Sequence, residues 1–153
     1  MESHTEAVRR LMTAINKLDG AYYQCARRIG IKDNALTLLY VLQDGKPHSQ
    51  KQICEEWLIP KTTINTIVRE LENSGHLVMR AEPHTREKFL HLTALGRDYA
   101  DHVLREMLEA ENRAISETLA QYSPAFIDAL DCFADSLCTA FRLGEQNTNR
   151  KNA

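Results

Sequence analysis

Hydrophobic residues recur at steps of three and four over long parts of the chain. Between Val8 and Ile29 this spacing predicts an amphipathic helix that ends near Gly30. A second helix is predicted after Asp33, with Gly45 at its stop. The same spacing after Thr93, and again after Ser123 as far as Phe141, predicts two long C-terminal helices. The chain is therefore expected to be mainly α-helical.

Two shorter helices are predicted between these long ones. Ser49 and Gln52 form an S-x-x-Q capping box, which places the start of a helix over residues 49–57. Over residues 60–71, Ile64, Ile67 and Leu71 lie on one helical face. Gly75 then supplies the left-handed conformation that commonly ends a helix.

A β-hairpin pattern follows the glycine. Residues 77–80 and 89–92 have the composition of strands, and the polar residues 81–88 between them form the predicted loop. Short helices, a glycine stop and a charged hairpin are the parts of a winged helix-turn-helix, which reads duplex DNA. We expect a three-helix unit plus a β-hairpin wing, flanked by N- and C-terminal dimerisation helices.

Composition adds the class of protein and its compartment. The chain has 153 residues, of which 43% are hydrophobic and 26% charged, as in an ordinary globular protein. No apolar run approaches the roughly 20 residues that a membrane-spanning helix needs. The N-terminus lacks the pattern of a secretory signal, and the 4 cysteines form no close pair. We therefore expect a cytoplasmic protein with reduced thiols and no membrane partner.

Charge is distributed unevenly along the chain, with the acidic excess in its C-terminal part. The net charge is −2 overall, made up of +1 over residues 1–45, +1 over residues 46–88 and −4 over residues 89–153. The acidic excess thus lies outside the predicted DNA-reading region. Any attraction for DNA must come from a few well-placed cations rather than from the global charge.

The segment from Ser49 to Gly96 resembles the winged helix-turn-helix of the multiple-antibiotic-resistance (MarR) type of transcription regulator. The most diagnostic element is Arg-x5-Leu-Thr-x2-Gly, formed here by Arg86, Leu92, Thr93 and Gly96. The chain departs from the family pattern at three positions. His84 replaces the usual wing aspartate, Pro60 replaces a Ser or Thr cap, and Cys54 replaces alanine.

The resemblance implies a homodimeric repressor that occupies a pseudo-palindromic operator in double-stranded DNA. It implies N-terminal dimerisation in residues 1–32, the winged helix-turn-helix in 33–96, C-terminal dimerisation helices in 97–143 and a flexible tail in 144–153. It also implies a pocket for a small-molecule effector between the first, second and fifth helices. Tyr22, Tyr23 and Cys25 are the candidate residues for that pocket.

Polar and basic residues of the fourth helix and the hairpin are the expected DNA contacts. Asn65, Thr66 and Arg69 have the reach and chemistry to contact base edges, and Arg86 suits a narrow minor groove. The others are expected at phosphates, and they are Lys61, Thr62, Thr63, Arg80, His84 and Lys88.

Two alternatives to a ligand-responsive repressor remain from the sequence. The chain could be a winged-helix protein-interaction module, since its reading region is nearly neutral, or a redox-sensing regulator that uses Cys25. Asp98, His102 and Glu106 share a helical face and could hold a metal, although a solvated face is the expected interpretation. An enzyme is not expected, because no phosphate loop, H-E-x-x-H or G-x-S-x-G motif is present, and no cofactor is predicted.

Overall fold

The structure, a computed structural model, describes residues 2–151, with side chains as far as Arg142. Its elements are α1 (His4–Ile29), α2 (Asp33–Leu42), β1 (His48–Ser49), α3 (Gln50–Trp57), α4 (Lys61–Asn73), β2 (Leu77–Ala81), β3 (Lys88–Leu92), α5 (Ala94–Leu119) and α6 (Ala125–Lys151). The predicted mainly α fold with a winged helix-turn-helix is confirmed.

The sheet contains one strand that the sequence pattern did not predict. The strand order is β1-β3-β2, with both pairs antiparallel. β1 has only two residues, His48 opposite Leu90 and Ser49 opposite Phe89. A strand of two residues is too short to show a periodic sequence pattern. It is recognised only from its pairing with β3. Ala81 and Lys88 were predicted in the loop but pair with each other, so the loop is limited to residues 82–87.

The chain forms two compact units, Met1–Leu108 and Glu109–Ala153. The hydrophobic core belongs to the first unit and combines α2, α3, α4, the sheet and the first part of α5. Leu38, Ile53, Ile64, Leu90 and Leu104 are fully inaccessible to solvent. The predicted stripe of α4 points into this core, as expected for an amphipathic helix.

The start of α3 and the end of α4 follow the predicted chemistry. The Ser49 side chain accepts from the Gln52 backbone N–H at 3.2 Å, while the Gln52 side chain accepts from the Ser49 N–H at 3.0 Å. At the end of α4, Gly75 adopts a positive φ of 74°. The His76 N–H donates to the Leu71 carbonyl at 2.9 Å, which completes a Schellman-type C-terminus.

A close contact between His76 and the start of α5 joins three elements of the first unit. The Thr93 N–H donates to the His76 carbonyl at 3.0 Å, and the Thr93 hydroxyl donates to the Gly75 carbonyl at 2.7 Å. The same hydroxyl accepts from the Gly96 N–H at 3.0 Å and so caps α5. A Cβ at position 96 would lie 1.8 Å from the His76 carbonyl oxygen, so only glycine fits there.

The helix α6 continues to Lys151. The flexible tail over residues 144–153 stays a prediction. Asn152 and Ala153 lie outside the described residues. Among the described residues, no helix is long and apolar enough to span a membrane.

We expect Gly96→Ala to destabilise the first unit strongly. Its new methyl group would collide with backbone rather than with a movable side chain, at a cost of about 3 kcal/mol in the free energy of unfolding. The matched control is Gly20→Ala in α1, where no atom lies within 4 Å of the added Cβ. That change should stabilise by about 0.5–1 kcal/mol. Urea unfolding measures both; equal stabilities of the two variants would contradict the close contact.

Candidate nucleic-acid interface

The helix α4 presents opposite chemistry on its two sides. Ile64, Ile67 and Val68 are buried. Lys61, Thr62, Thr66 and Arg69 are exposed, while Thr63 and Asn65 are half-buried. The exposed side thus carries hydroxyl, amide and cationic groups suited to phosphates and base edges.

The N-terminus of α4 lacks a side-chain cap. The N-cap residue is Pro60, which has no side-chain group able to accept from the first-turn N–H groups. Where the related pattern has a Ser or Thr cap, the hydroxyl would occupy one of these donors. Without it, the donors and the helix dipole remain available for an anion. Lys61 and Thr62 follow immediately, so charge and hydroxyl donors stand at the same helix end.

The wing loop contains a turn with an unusual backbone at its tip. The Thr85 N–H donates to the Glu82 carbonyl at 3.4 Å, with Pro83 and His84 in between. His84 has a φ of 72°, a left-handed conformation that is uncommon for residues other than glycine, although asparagine, aspartate and histidine adopt it more often than the rest. The Thr85 hydroxyl accepts from the Glu87 N–H at 3.0 Å, which orders the backbone around Arg86.

The cations of α4 and the hairpin form no ion pairs with the side chains that the structure describes. Arg80, Arg86 and Lys88 are exposed on the hairpin, as Lys61 and Arg69 are on α4. In the part of the chain with described side chains, none of these five forms a salt bridge. Nearby, Lys32 pairs with Glu70 of α4 at 3.1 Å, so this helix does not leave all of its charges free. Unpaired cations can contact phosphates without first breaking an internal contact.

The sequence motif identified the residues that fix the base of the wing, but it did not show which contacts they make. Thr93 and Gly96 belong to the Arg-x5-Leu-Thr-x2-Gly spacing, yet their shared contact with the His76 carbonyl is a tertiary feature. Lys32 was not identified as a neighbour of α4, because its partner Glu70 is distant in sequence. Opposite charge alone does not select one such pair from many.

The residues predicted for an effector pocket lie along the last part of α1. Tyr22 and Tyr23 are 41% and 53% exposed, and the Arg27 guanidinium lies 5.9 Å from the centre of the Tyr23 ring. Cys25 is half-buried and packs against the core. Their assignment to an effector pocket stays a prediction.

One of the three residues on the possible metal-binding face of α5 has another role. Glu106 forms an ion pair with Arg28 of α1. Within the described residues, no group of three or more His, Cys, Asp or Glu side chains is arranged to hold a metal ion. Cys25, Cys54, Cys132 and Cys138 are all free thiols.

Comparison with known proteins relates the region of the winged helix-turn-helix to a protein family. The model of the MarR family matches residues 29–86, from the end of α1 to Arg86 of the wing loop. This match confirms the recognition made from the sequence. MarR-family members are transcription regulators and not enzymes, in agreement with the expectation for this chain. No curated protein sequence matches the chain.

Solved structures show the same fold over most of the chain. A MarR family regulator from Neisseria meningitidis, NMB1585, has a TM-score of 0.77 at 21% identity, covering 90% of this chain and 98% of its own. NadR in complex with 4-hydroxyphenylacetate has a TM-score of 0.66 at 20% identity, covering 88% and 94%. SPO1453 from Silicibacter pomeroyi, a MarR family transcriptional regulator, also reaches 0.66 at 20% identity, covering 85% and 93%.

We expect the stability of variants at His84 to depend on how well each new side chain tolerates a positive φ. His84→Asn should leave the free energy of unfolding within about 0.5 kcal/mol, since asparagine tolerates positive φ. His84→Val should lower it by about 1–2 kcal/mol, because a β-branched side chain is strained there. Urea unfolding of the pair provides the measurement. A valine variant as stable as the asparagine variant would argue against the left-handed conformation at the tip.

Proposed function

Because the chain carries the winged helix-turn-helix of the MarR family of transcription regulators, we propose that it is a homodimeric repressor of a pseudo-palindromic operator. The observation that carries this proposal is the set of unpaired cations on α4 and the wing, next to a helix start without a side-chain cap. It acts in the cytoplasm, where double-stranded DNA is its partner.

The helix α4 is the recognition helix in this proposal. Its first turn, with Lys61, Thr62 and Thr63, contacts the phosphate backbone and fixes the register of the helix. Asn65, Thr66 and Arg69 contact base edges in the major groove, where asparagine matches adenine and arginine matches guanine. The Thr66 hydroxyl also donates to the Thr62 carbonyl at 3.1 Å, and its remaining lone pair can still accept from a base amino group.

The wing supplies a second contact in the same proposal. Arg86 enters the minor groove, where the negative potential is strongest when the groove is narrow. Arg80, His84 and Lys88 contact the flanking phosphates. The turn at His84 and the hydrogen bond from Glu87 to Thr85 hold the loop in one conformation, which reduces the entropy that ordering it on DNA would cost.

Dimerisation is proposed because apolar side chains remain exposed on the long helices. On α6, Phe126, Ile127 and Leu130 are between 37% and 44% exposed, and Phe141 is 66% exposed. None of the described residues of α6 is buried. A second copy would cover this face. Two recognition helices about 34–36 Å apart would then match successive major grooves on one side of the duplex.

Release from DNA by a small-molecule effector is the remaining part of the proposal. A structural relative, NadR, was crystallised with 4-hydroxyphenylacetate. For this chain, Tyr22, Tyr23 and Cys25 are the proposed contacts of an effector between the first, second and fifth helices. A ligand that changes the separation of the two recognition helices would weaken binding to both half-sites.

We expect Arg86→Glu to weaken duplex binding by about tenfold or more and to reduce the slope of log K against log salt by about one unit or more. Fluorescence anisotropy with duplexes from around the chain's own gene measures both. Arg105→Glu is the control, since Arg105 is an exposed arginine of α5 outside the wing and should leave affinity unchanged. Unchanged affinity of the Arg86 variant would remove the wing from the interface.

The salt dependence also distinguishes the regulator from a protein-interaction module. A regulator that contacts phosphates loses affinity steeply with added salt, because counterions are released on binding. If the wild-type chain binds no duplex at any salt concentration, the proposal of DNA recognition fails as a whole.

We expect Phe126→Glu to disrupt the dimer, since a charge would be placed in the apolar face of α6. Sedimentation should then give a mass close to the 17.5 kDa of one chain, whereas the wild type gives twice that mass. Asp135→Lys changes the charge of an exposed polar position on the same helix and serves as the control. A Phe126 variant that remains dimeric would exclude this face as the interface.

A further inference from the structure

The loop at the tip of the wing has no net positive charge of its own. Over residues 82–87, the carboxylates of Glu82 and Glu87 stand against the single guanidinium of Arg86, so the net charge is −1 while His84 is neutral. Protonation of His84 brings this net charge to zero. The protonation state of one side chain therefore decides whether the loop as a whole is repelled by a polyanion such as DNA.

The imidazole ring of His84 is open to solvent at the tip of this loop. The residue is exposed, and its φ of 72° lies in the turn that the Thr85 N–H closes on the Glu82 carbonyl. Among the side chains that the structure describes, none forms a hydrogen bond or an ion pair with the ring. The ring can therefore take up a proton and donate to an anion without first breaking an internal contact.

The charged neighbours of His84 lie in the loop and on the two strands that carry it. They are Glu82, Arg86 and Glu87 in the loop, Arg80 on β2 and Lys88 on β3. Carboxylate, guanidinium and ammonium groups ordinarily keep their charge between about pH 6 and about pH 8. Histidine is the residue type whose charge ordinarily changes in this range. In this part of the hairpin, a change of pH near neutrality therefore acts through the imidazole at the tip.

From this arrangement we propose that His84 makes DNA binding pH-dependent, with the protonated ring as the form that contacts a phosphate. This inference rests on the proposed function, because it concerns how the wing contacts the duplex. Phosphate oxygens attract an imidazolium and accept from either of its two N–H groups, whereas the neutral ring has a single donor and no charge. Binding therefore takes up a proton, and affinity rises as the pH falls from about 8 to about 6.

Affinity and proton uptake are measured together between about pH 6 and about pH 8, where histidine changes its charge. Fluorescence anisotropy with a duplex from around the chain's own gene gives the Kd at each pH and constant ionic strength. We expect the Kd to rise about three- to tenfold per wing from the lower to the higher pH. The slope of log K against log salt should be steeper at the lower pH by up to about one unit per wing. Calorimetry in two buffers of different ionisation enthalpy should show uptake of up to about one proton per wing.

Substitutions at His84 separate the charge of the side chain from the shape of the turn. His84→Asn tolerates the positive φ and stays neutral, so its Kd should remain near that of the wild type at about pH 8 and should not vary with pH. His84→Lys stays charged, so it should also show no pH dependence but bind more tightly than the asparagine variant. His91→Asn is the matched control, since His91 is the other histidine of the hairpin and lies on β3. This variant should keep the pH dependence of the wild type.

Any of three results would overturn the role of His84. One is a wild-type Kd that does not change over this pH range. Another is a His84→Asn variant that keeps the pH dependence of the wild type, which would assign the proton to another group. The third is a His91→Asn variant that loses the pH dependence. In each case the duplex is still bound, so the repressor proposal stands, whereas absence of duplex binding at every pH would overturn both proposals.

Discussion

The contact between the His76 carbonyl and the start of α5 determines the geometry of the reading region. Thr93 donates to this carbonyl and to that of Gly75, and Gly96 leaves the space that the carbonyl oxygen fills. The end of α4, the last residue of the hairpin and the first turn of α5 therefore meet at one point. Since β2 begins directly after His76 and β3 ends directly before Thr93, both strands of the wing are fixed at their base. A side chain at position 96 would separate these elements, which explains the Leu-Thr-x2-Gly spacing in physical terms.

Local charge placement, and not net charge, makes DNA recognition plausible for this chain. A net charge of −2 would be unfavourable if charges were spread evenly. Arg69 and Arg86 are instead exposed and form no ion pair with any described side chain, while Arg28 and Lys32 are held by Glu106 and Glu70. The cations needed for phosphates are thus left free. Pro60 adds to this effect, because a helix without a side-chain cap keeps its first N–H groups available to an anion.

One small sheet connects a cleft of the first unit with the base of the wing. The cleft has a volume of about 460 Å³, and His48 of β1 is among its lining residues. His48 pairs with Leu90 of β3, the strand that leads back to the wing loop. The lining of the cleft is therefore joined to the wing by the pairing of these two strands.

The sequence by itself predicted the helices, the hairpin, the resemblance to the MarR family and a set of candidate DNA contacts. Periodicity fixes which face of α4 is buried, and the capping box at Ser49 and the glycine at position 75 fix helix ends, because these signals act over four or five residues. The strand β1, the ion pair of Lys32 with Glu70 and the cleft beside Trp57 join residues that are distant in the chain. No local pattern encodes such contacts, since each depends on how packed helices place their side chains. Tertiary structure alone therefore decided that the cations of α4 and the wing have no ion-pair partner among the described side chains, that His84 takes a left-handed backbone, and that Gly96 is required by a carbonyl oxygen.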